Sequence, residues 1–463
     1  MTIDSDHMQT DASGDDDAYL LDRSTVAAIL AAVDGNNRDQ LVALMEPLHA
    51  ADIADLLEQI NVADRTRLIE IYGHEFDGEI LTELEESVRE DILDTLHPQV
   101  LADAVRELES DDVVDLIEDL DEPLQEAILN ALKDSDRVAV EQAMSYPENA
   151  AGRLMQREVV MAPEHWTVGQ AIDLLRNSED LPEQFYHVVL VDPRLHPVAN
   201  VTLGKLMGAR RDVALMDLAE EVFQVIPAEQ DEGDVAYAFN QYHLISAPVV
   251  DIDGRLVGVI TIDDAMVVLD EEHEEDILRL AGVGESALSD GVLETSKRRL
   301  PWLAVNLLTA ILASLVIMQF EDSIAKLVSL AILMPIVASM GGNAGTQSLT
   351  VAVRALATKN LTNANVWRVI RREVLVGLVN GVVFAVVMGG IGMWWFDSPL
   401  LGAVIAVALV INMITAGLAG TVIPVLLERM DVDPALASGT FVTTVTDVVG
   451  FLAFLGLASL VLI

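Results

Sequence analysis

The chain has 463 residues, a formal net charge of −48 and no cysteine. The lack of cysteine excludes disulfides, thiolate metal sites and cysteine nucleophiles. The charge is unevenly spread, because 67 of the 75 acidic residues and 20 of the 27 basic residues lie in residues 1–300. Such an acidic excess excludes nucleic acid as a partner and favours cations, although a solvated acidic surface explains it equally well.

The N-terminal region divides into an acidic tail and a helical segment. Residues 1–20 have neither a basic start nor an apolar stretch, so they predict a disordered tail and no cleaved signal peptide. Residues 21–150 show short amphipathic helical patterns, and ADIADLLEQI at 51–60 is echoed by DDVVDLIEDL at 111–120. Repeated helical units of this kind stack into a superhelix around their apolar stripes.

Residues 151–268 alternate between strand and helix patterns. An apolar run at 185–192 predicts a buried strand, and 247–261 predicts a hairpin that turns at Asp251-Ile-Asp-Gly254. Two similar α/β units account for this stretch, which resembles a tandem pair of cystathionine-β-synthase (CBS) domains.

The CBS resemblance implies a nucleotide site in the second unit. Gly258-Val-Ile-Thr261-Ile-Asp-Asp264 matches the Gly-x-x-Thr-x-x-Asp pattern that contacts ribose in that family. Thr261 and Asp264 are therefore candidate ligands of ATP or another nucleotide, and the alternative is that they cap a helix. The first unit departs from the pattern, because Lys205 stands where the acid belongs.

Residues 269–299 form an acidic connector that leads to the apolar half of the chain. Six acids lie within residues 270–276, and the connector ends at Lys297-Arg298-Arg299. Such a run is usually a solvated helix face. Here the run also links the α/β units directly to the apolar half, and a divalent cation would relieve the repulsion between its crowded carboxylates.

Residues 300–463 contain five apolar segments that are long enough to span a bilayer. Asp447 is the one charged residue in the last of them, where a carboxylate costs on the order of 3 kcal/mol unless it faces a polar interior. We interpret Asp447 as an ion-pathway ligand, the alternative being a carboxylate paired with an internal polar group. The segments are 301–320, 327–353, 374–396, 400–427 and 435–462.

The second segment contains Pro335 and Gly341-Gly342, which predict a tilt, a kink or a break. Short loops that carry basic residues set the orientation of the spans. The basic residues precede the first span, separate the second from the third and separate the fourth from the fifth. This pattern predicts a cytoplasmic N-terminus and an extracytoplasmic C-terminus in the inner or plasma membrane.

Together these features make the chain resemble the MgtE family of magnesium channels and transporters. The most specific stretch is Gly341-Gly-Asn-Ala-Gly-Thr-Gln347 in the second span. The resemblance implies a homodimer in which Asp447 of each subunit binds hydrated Mg²⁺, with Gly341, Gly342, Asn343 and Gln347 in the pore wall. One departure is Gly439-Thr440, where the family commonly has Asn-Pro.

The fold class that follows is a multidomain membrane protein. It comprises a tail at 1–20, an all-α helical-repeat N-domain at 21–150, α/β tandem CBS domains at 151–268, a connecting plug helix at 269–299 and a five-helix transmembrane domain at 300–463. The resemblance also implies a cytosolic Mg²⁺ sensor that closes the pore. Its candidate ligands are Asp111, Asp115, Asp231, Asp264, Glu272, Glu275, Asp276 and Asp433.

Two other functions remain open at this point. In one, the chain is a membrane-anchored CBS sensor that signals to a partner, and in the other it transports a different divalent cation such as Co²⁺. Neither a phosphate-binding loop nor a catalytic triad is evident in the sequence, so we expect no enzymatic activity.

Overall fold

The computed structural model describes residues 21–118, 120, 122–178, 181–182, 184–220, 222–281, 292–362, 364–430 and 432–463. The predicted tail at 1–20 and the middle of the predicted connector, 282–291, lie outside these ranges. The chain divides into two compact units between Leu269 and Asp270.

The first unit begins with ten short helices. Polar residues start several of them; the Asn61 side chain, for example, accepts the backbone N–H of Asp64, and that helix ends at Gly73, whose φ is +58°. The helices are α1 (Arg23–Asp34), α2 (Arg38–Met45), α3 (Ala50–Gln59), α4 (Val62–Tyr72), α5 (Glu79–Thr82), α6 (Glu86–Thr95), α7 (Pro98–Val105), α8 (Ser110–Glu118), α9 (Glu122–Ala131) and α10 (Asp134–Ala143).

These helices pack mainly on neighbours one helix removed, as α3 does on α5, α4 on α6, α7 on α9 and α8 on α10. This is the packing expected of stacked helical repeats. Leu56 and Leu57 of α3 and Leu116 and Ile117 of α8 occupy the same places in the repeated motif and are almost fully buried in one shared core. The predicted core role of the apolar stripe is confirmed.

Two α/β modules of identical topology follow. In each, the first strand pairs parallel to the second and the second pairs antiparallel to the third. The last strands end at Thr202 and Thr261, which pair with the first residues of their neighbours, His187 and Ser246. The elements are β1 (Met161–Pro163), α11 (Val168–Asn177), β2 (His187–Val191), β3 (Pro197–Thr202), α12 (Leu203–Gly208), β4 (Ile226–Pro227), α13 (Glu232–Tyr242), β5 (Ser246–Val250), β6 (Leu256–Thr261) and α14 (Ile262–Leu280).

This repetition confirms the tandem pair. The β5–β6 hairpin turns where predicted, and Gly254 adopts φ +78°, a conformation that favours glycine. The predicted connector needs a correction at its start. It does not begin a helix at residue 269 but continues α14, which already starts at Ile262 directly after β6.

The second unit consists mainly of long apolar helices. Four of its described helices are long and apolar enough to cross a membrane, over Thr295–Met318, Val366–Phe396, Pro399–Glu428 and Gly439–Val461. The helices are α15 (Val292–Met318), α16 (Glu321–Lys326), α17 (Ser329–Ala357), α18 (Val366–Phe396), α19 (Pro399–Glu428) and α20 (Pro434–Val461).

Helix α17 covers the remaining predicted span with 29 residues. It is continuous through Pro335 and the glycines that follow, so the break named among the expected outcomes does not occur. Helix α19 lies at the centre of the unit, where it packs on α17, α18 and α20. Glycines permit these close approaches; a Cβ at Gly420, for example, would lie 2.6 Å from the carbonyl oxygen of Gly345.

Candidate ion pathway and acidic cluster

Helices α17 and α20 border a cavity of about 510 Å³. Asp447, Asn343 and Gly342, three of the five predicted pore residues, line it. The other polar lining residues are Ser339, Thr346 and Thr443.

Helical periodicity explains why these polar residues line the same cavity. Ser339, Gly342, Asn343 and Thr346 recur at intervals of three and four residues and therefore share one face of α17. On α20, Thr443 precedes Asp447 by four residues, one turn earlier on the same face. The sequence thus projects two polar helix faces toward a common space.

Asp447 is half-buried, and it is the one charged group among the described residues that line the cavity. The Thr443 hydroxyl donates to the carbonyl of Gly439 at 3.0 Å, and the Thr346 hydroxyl donates to that of Gly342 at 3.0 Å. With their protons engaged, both oxygens present lone pairs to water. At about 30 Å³ per water, the cavity has room for an ion with its hydration shell.

Gly341 and Gln347 lie outside the residues that line this cavity. Gly341 is buried against Asn412, and a Cβ there would overlap the Asn412 side-chain amide. A Cβ at Gly450 of α20 would lie 2.7 Å from the same amide nitrogen. For Gly341, helix packing is therefore the role that the geometry supports.

Asn412 is a residue that the sequence interpretation missed. It is fully buried in α19, and its amide donates to the carbonyl of Val337 in α17 at 2.8 Å. Its Oδ1 has no hydrogen-bond partner among the described residues. The sequence does contain a signal for a buried polar contact here, because Asn412 is the one asparagine in the apolar run 400–427.

A second missed group is Glu373, seven residues after the start of α18. It is 7% exposed and accepts a hydrogen bond of 3.0 Å from the Ser348 hydroxyl of α17. The predicted span began at residue 374, so this acid had been placed in the preceding loop.

In the first unit, acids gather where α8 and α14 begin. Burial and the neighbouring Glu158 charge raise the pKa of Glu109 to about 7, and burial and the Asp264 charge raise that of Asp112 to about 7. Burial and the Asp264 charge also raise the pKa of Asp111 well above its usual value. Burial is the largest influence on Asp264 itself and raises its pKa to about 6. Glu109 and Asp112 were missed by the sequence interpretation.

Thr261 and Asp264 are joined to each other through their side chains, so neither the nucleotide role nor the capping role is decided by this bond. The Thr261 hydroxyl donates to the Asp264 carboxylate at 2.7 Å just before the first turn of α14. In the first module, Thr202 accepts from the Lys205 backbone N–H at 3.4 Å, and the Lys205 amine pairs with Glu220 at 3.1 Å. The two modules thus carry opposite charges at the same place.

Hydrogen bonds hold the start of α8 to the segment before β1. The Ser110 hydroxyl donates to Glu158 at 2.9 Å and accepts from the Arg157 backbone N–H at 2.8 Å. The Gln156 amide donates to Glu109. These contacts fix the acids of α8 in place despite their mutual repulsion.

Neighbouring carboxyl groups offer the oxygen ligands that a hard divalent cation prefers. Within the described ranges, however, no three histidine, aspartate or glutamate side chains converge closely enough to hold an ion directly.

The remaining predicted sensor acids fall into two groups. Asp231 caps α13 by accepting from Asp234 at 3.3 Å, Asp115 pairs with Arg89 at 3.2 Å, and Glu272 is exposed. The Asp115 charge contributes to the raised pKa of Asp112, whereas Glu272 belongs to the second unit.

The second group lies in the second unit and involves a missed arginine. Arg279 of α14 pairs with Asp433 at 3.0 Å and with Glu275. Burial and the Asp433 charge raise the pKa of Asp276. Asp433 also caps α20 by accepting the Ala435 backbone N–H at 2.7 Å. Arg279 therefore occupies the place between carboxylates that a cation was expected to take.

The departure at Gly439-Thr440 has a structural role. The Thr440 hydroxyl donates to the side-chain oxygen of Asn306 at 2.9 Å and links α20 to α15.

Apolar helices of membrane-spanning length, two of which border a cavity with one carboxylate, together with tandem CBS modules and a helical-repeat domain, indicate a multi-pass cation transporter. Family models agree: divalent cation transporter (MgtE) at residues 334–457, MgtE intracellular N domain at 48–149 and CBS domain at 216–271.

Relatives extend the match over the chain. Magnesium transporter MgtE of Bacillus subtilis is 30% identical over 439 residues, covering 95% of this chain and 97% of that protein. Its counterpart from Thermus thermophilus is 30% identical, covering 91% of this chain and 98% of that protein. That of Enterococcus faecalis is 35% identical, covering 69% and 71%. The chain belongs to the MgtE family of magnesium transporters.

Among solved structures, the cytosolic domain of the Mg²⁺ channel MgtE in complex with ATP is 26% identical. The match covers 52% of this chain and 99% of the solved chain, with a TM-score of 0.49.

Proposed function

We propose that the chain is a homodimeric, channel-like transporter that takes up Mg²⁺ down its electrochemical gradient. The N-terminus is cytoplasmic and the C-terminus extracytoplasmic, as the basic loops favour. The observation that carries the proposal is the cavity between α17 and α20, in which Asp447 is the one charge among the described lining residues. The names of the relatives support Mg²⁺ as the cargo.

The chemistry of the cavity suits a hydrated ion. Mg²⁺ dehydrates reluctantly and is usually bound through one or two carboxylates and several waters. Asp447 supplies the charge, and Asn343, Thr346 and Thr443 offer oxygens to the water shell. Uptake needs no hydrolysis, since a divalent ion gains about 4.6 kcal/mol by crossing 100 mV.

We further propose that cytosolic Mg²⁺ closes the pathway. Binding of Mg²⁺ near Asp111, Asp112 and Asp264 replaces protons that the raised pKa values would otherwise retain. The closed state is then favoured by as much as Mg²⁺ prefers it to the open state. We assign Asp264 to cation binding rather than to nucleotide binding, because a polyphosphate there would meet the charges of Glu109 and Asp112.

Flux measurements in proteoliposomes test the proposed pathway. Asp447→Asn should lower Mg²⁺ flux by more than ~100-fold, because a carboxylate near a divalent ion is worth several kcal/mol. Asp397→Asn is the matched control, since it makes the same change at an exposed site in the α18–α19 loop. Its flux should equal that of the unmodified protein.

Other outcomes separate the alternatives. No Mg²⁺ flux in the unmodified protein would favour the membrane-anchored sensor. Preferred flux of Co²⁺ over Mg²⁺ would change the cargo. Undiminished flux in Asp447→Asn would refute the pathway itself.

A further inference from the structure

A second cavity of the membrane unit lies on α18, away from the residues that line the proposed ion pathway. It measures about 650 Å³ and is lined by Arg368, Arg371 and Arg372, then by the apolar side chains of Leu375, Val376 and Val379, and last by Asn380. The intervals of three and four residues place all seven on one face of the helix.

The three arginines are exposed and unpaired. Within the described parts of the chain, no carboxylate or carbonyl accepts a hydrogen bond or ion pair from any of them. Elsewhere in the described parts of the chain, Arg89, Arg153 and Arg279 each pair with an acid. A chain with 75 acidic residues leaves this basic cluster to an outside anion.

We propose that this cavity binds one anionic glycerophospholipid from the leaflet that surrounds the start of α18. The phosphodiester accepts hydrogen bonds from the guanidinium groups, whose planar forks suit phosphate. An acyl chain lies along Leu375, Val376 and Val379, which are 48%, 42% and 62% exposed.

The apolar wall distinguishes a lipid from a soluble phosphate. A free phosphate uses the arginines alone, whereas the cavity continues along three apolar side chains before it ends at Asn380. Trp367 is 78% exposed beside Arg368, as is typical of a side chain at the headgroup level. The orientation of the spans requires basic residues on this side of the membrane, but it does not require that they share a helix face with the apolar side chains that follow.

Native mass spectrometry of the full-length, delipidated protein in detergent tests the site. We expect phosphatidylglycerol to bind on the order of 100-fold more tightly than phosphatidylcholine, about fivefold for each arginine. Joint substitution Arg368→Gln, Arg371→Gln and Arg372→Gln should abolish this preference. The control Lys297→Gln, Arg298→Gln and Arg299→Gln removes the same charge before α15 and should keep it.

Two further measurements test the site if the arginine variant does not insert into the membrane. Leu375→Ala with Val379→Ala should weaken phosphatidylglycerol severalfold, and glycerol 3-phosphate, which lacks acyl chains, should not compete. Equal binding of both lipids to the unmodified protein would overturn the proposal. So would an unchanged preference in the arginine variant, undiminished phosphatidylglycerol binding in the alanine variant, or competition by glycerol 3-phosphate. Loss of a dimer in the arginine variant would also overturn it, because this face would then be a subunit contact.

Discussion

Gly341 and Gly342 are adjacent in the sequence but lie in different environments. Gly341 faces the buried Asn412 amide, whereas a Cβ at Gly342 would meet nothing nearer than a Thr443 methyl group at 3.9 Å. A double glycine in a span indicates close packing or a pore wall equally well, and the rotation of α17 against α19 decides between them. That rotation depends on the packing of several helices and is not evident from either residue.

These environments predict that the same substitution destabilises the protein at Gly341 and has almost no effect on its stability at Gly342. Gly341→Ala should destabilise the protein by about 1–3 kcal/mol, because the added methyl group displaces Asn412. Gly342→Ala should leave stability within about 0.5 kcal/mol. Thermal unfolding of the two variants in one detergent measures the difference, and equal melting temperatures would contradict this packing.

At the scale of elements, periodicity and charge predicted most of the fold. The stacked helices, the paired α/β modules and the apolar spans follow from local patterns. Helix ends were less accurate, because α18 extends to Val366, beyond the apolar run, and its polar first turns carry Glu373 and the arginines. Of the acidic cluster, the sequence interpretation named Asp111 and Asp264 but not Glu109 and Asp112. The cluster forms through the packing of α8 against the start of α14, which are distant in sequence, and local patterns do not reveal that packing.

Helix α14 places a positive charge, the Arg279 side chain, beside Asp433 at the start of α20. Arg279 bridges Glu275 and Asp433, so Arg279→Gln should leave Asp276 and Asp433 to repel each other without Mg²⁺. We expect Mg²⁺-free Arg279→Gln to be cut severalfold faster within residues 262–299 by a protease specific for apolar residues. Mg²⁺ should restore protection.

The control for this prediction is Arg255→Gln, which removes an exposed arginine from the β5–β6 hairpin. It should be cleaved like the unmodified protein. If Arg279→Gln is cleaved at that same rate with and without Mg²⁺, the bridge has no part in holding α14.

At the scale of the whole molecule, the acidic cluster predicts a dependence on pH. Glu109, Asp112 and Asp264 have pKa values of about 7, 7 and 6 in the folded state, above their usual values. The folded protein therefore holds protons that the unfolded chain releases, and this stabilising contribution is lost as pH rises from about 4 through 7. Mg²⁺ should offset the loss at about pH 8 and have little effect at about pH 5, where protons occupy the site.

A melting curve series of the full-length protein checks this expectation. Without Mg²⁺ at about pH 8, Glu109→Gln should raise the melting temperature by about 2–4 °C, because one repelling charge is removed. Glu107→Gln, an exposed neighbour with the same change, should not. An equal rise in both variants would mean that net charge, rather than the cluster, is responsible.

Helix α18 has two incompatible faces at its start. Glu373 is buried against Ser348, while Arg371 and Arg372 point outward just before it. Rolling the helix about its long axis would drive an arginine into the protein interior or carry the carboxylate into lipid, and both are expensive. We therefore expect α18 to keep its rotation about its own axis when the pathway opens and closes. The rearrangement would then occur in α17 and α20, whose residues line the cavity.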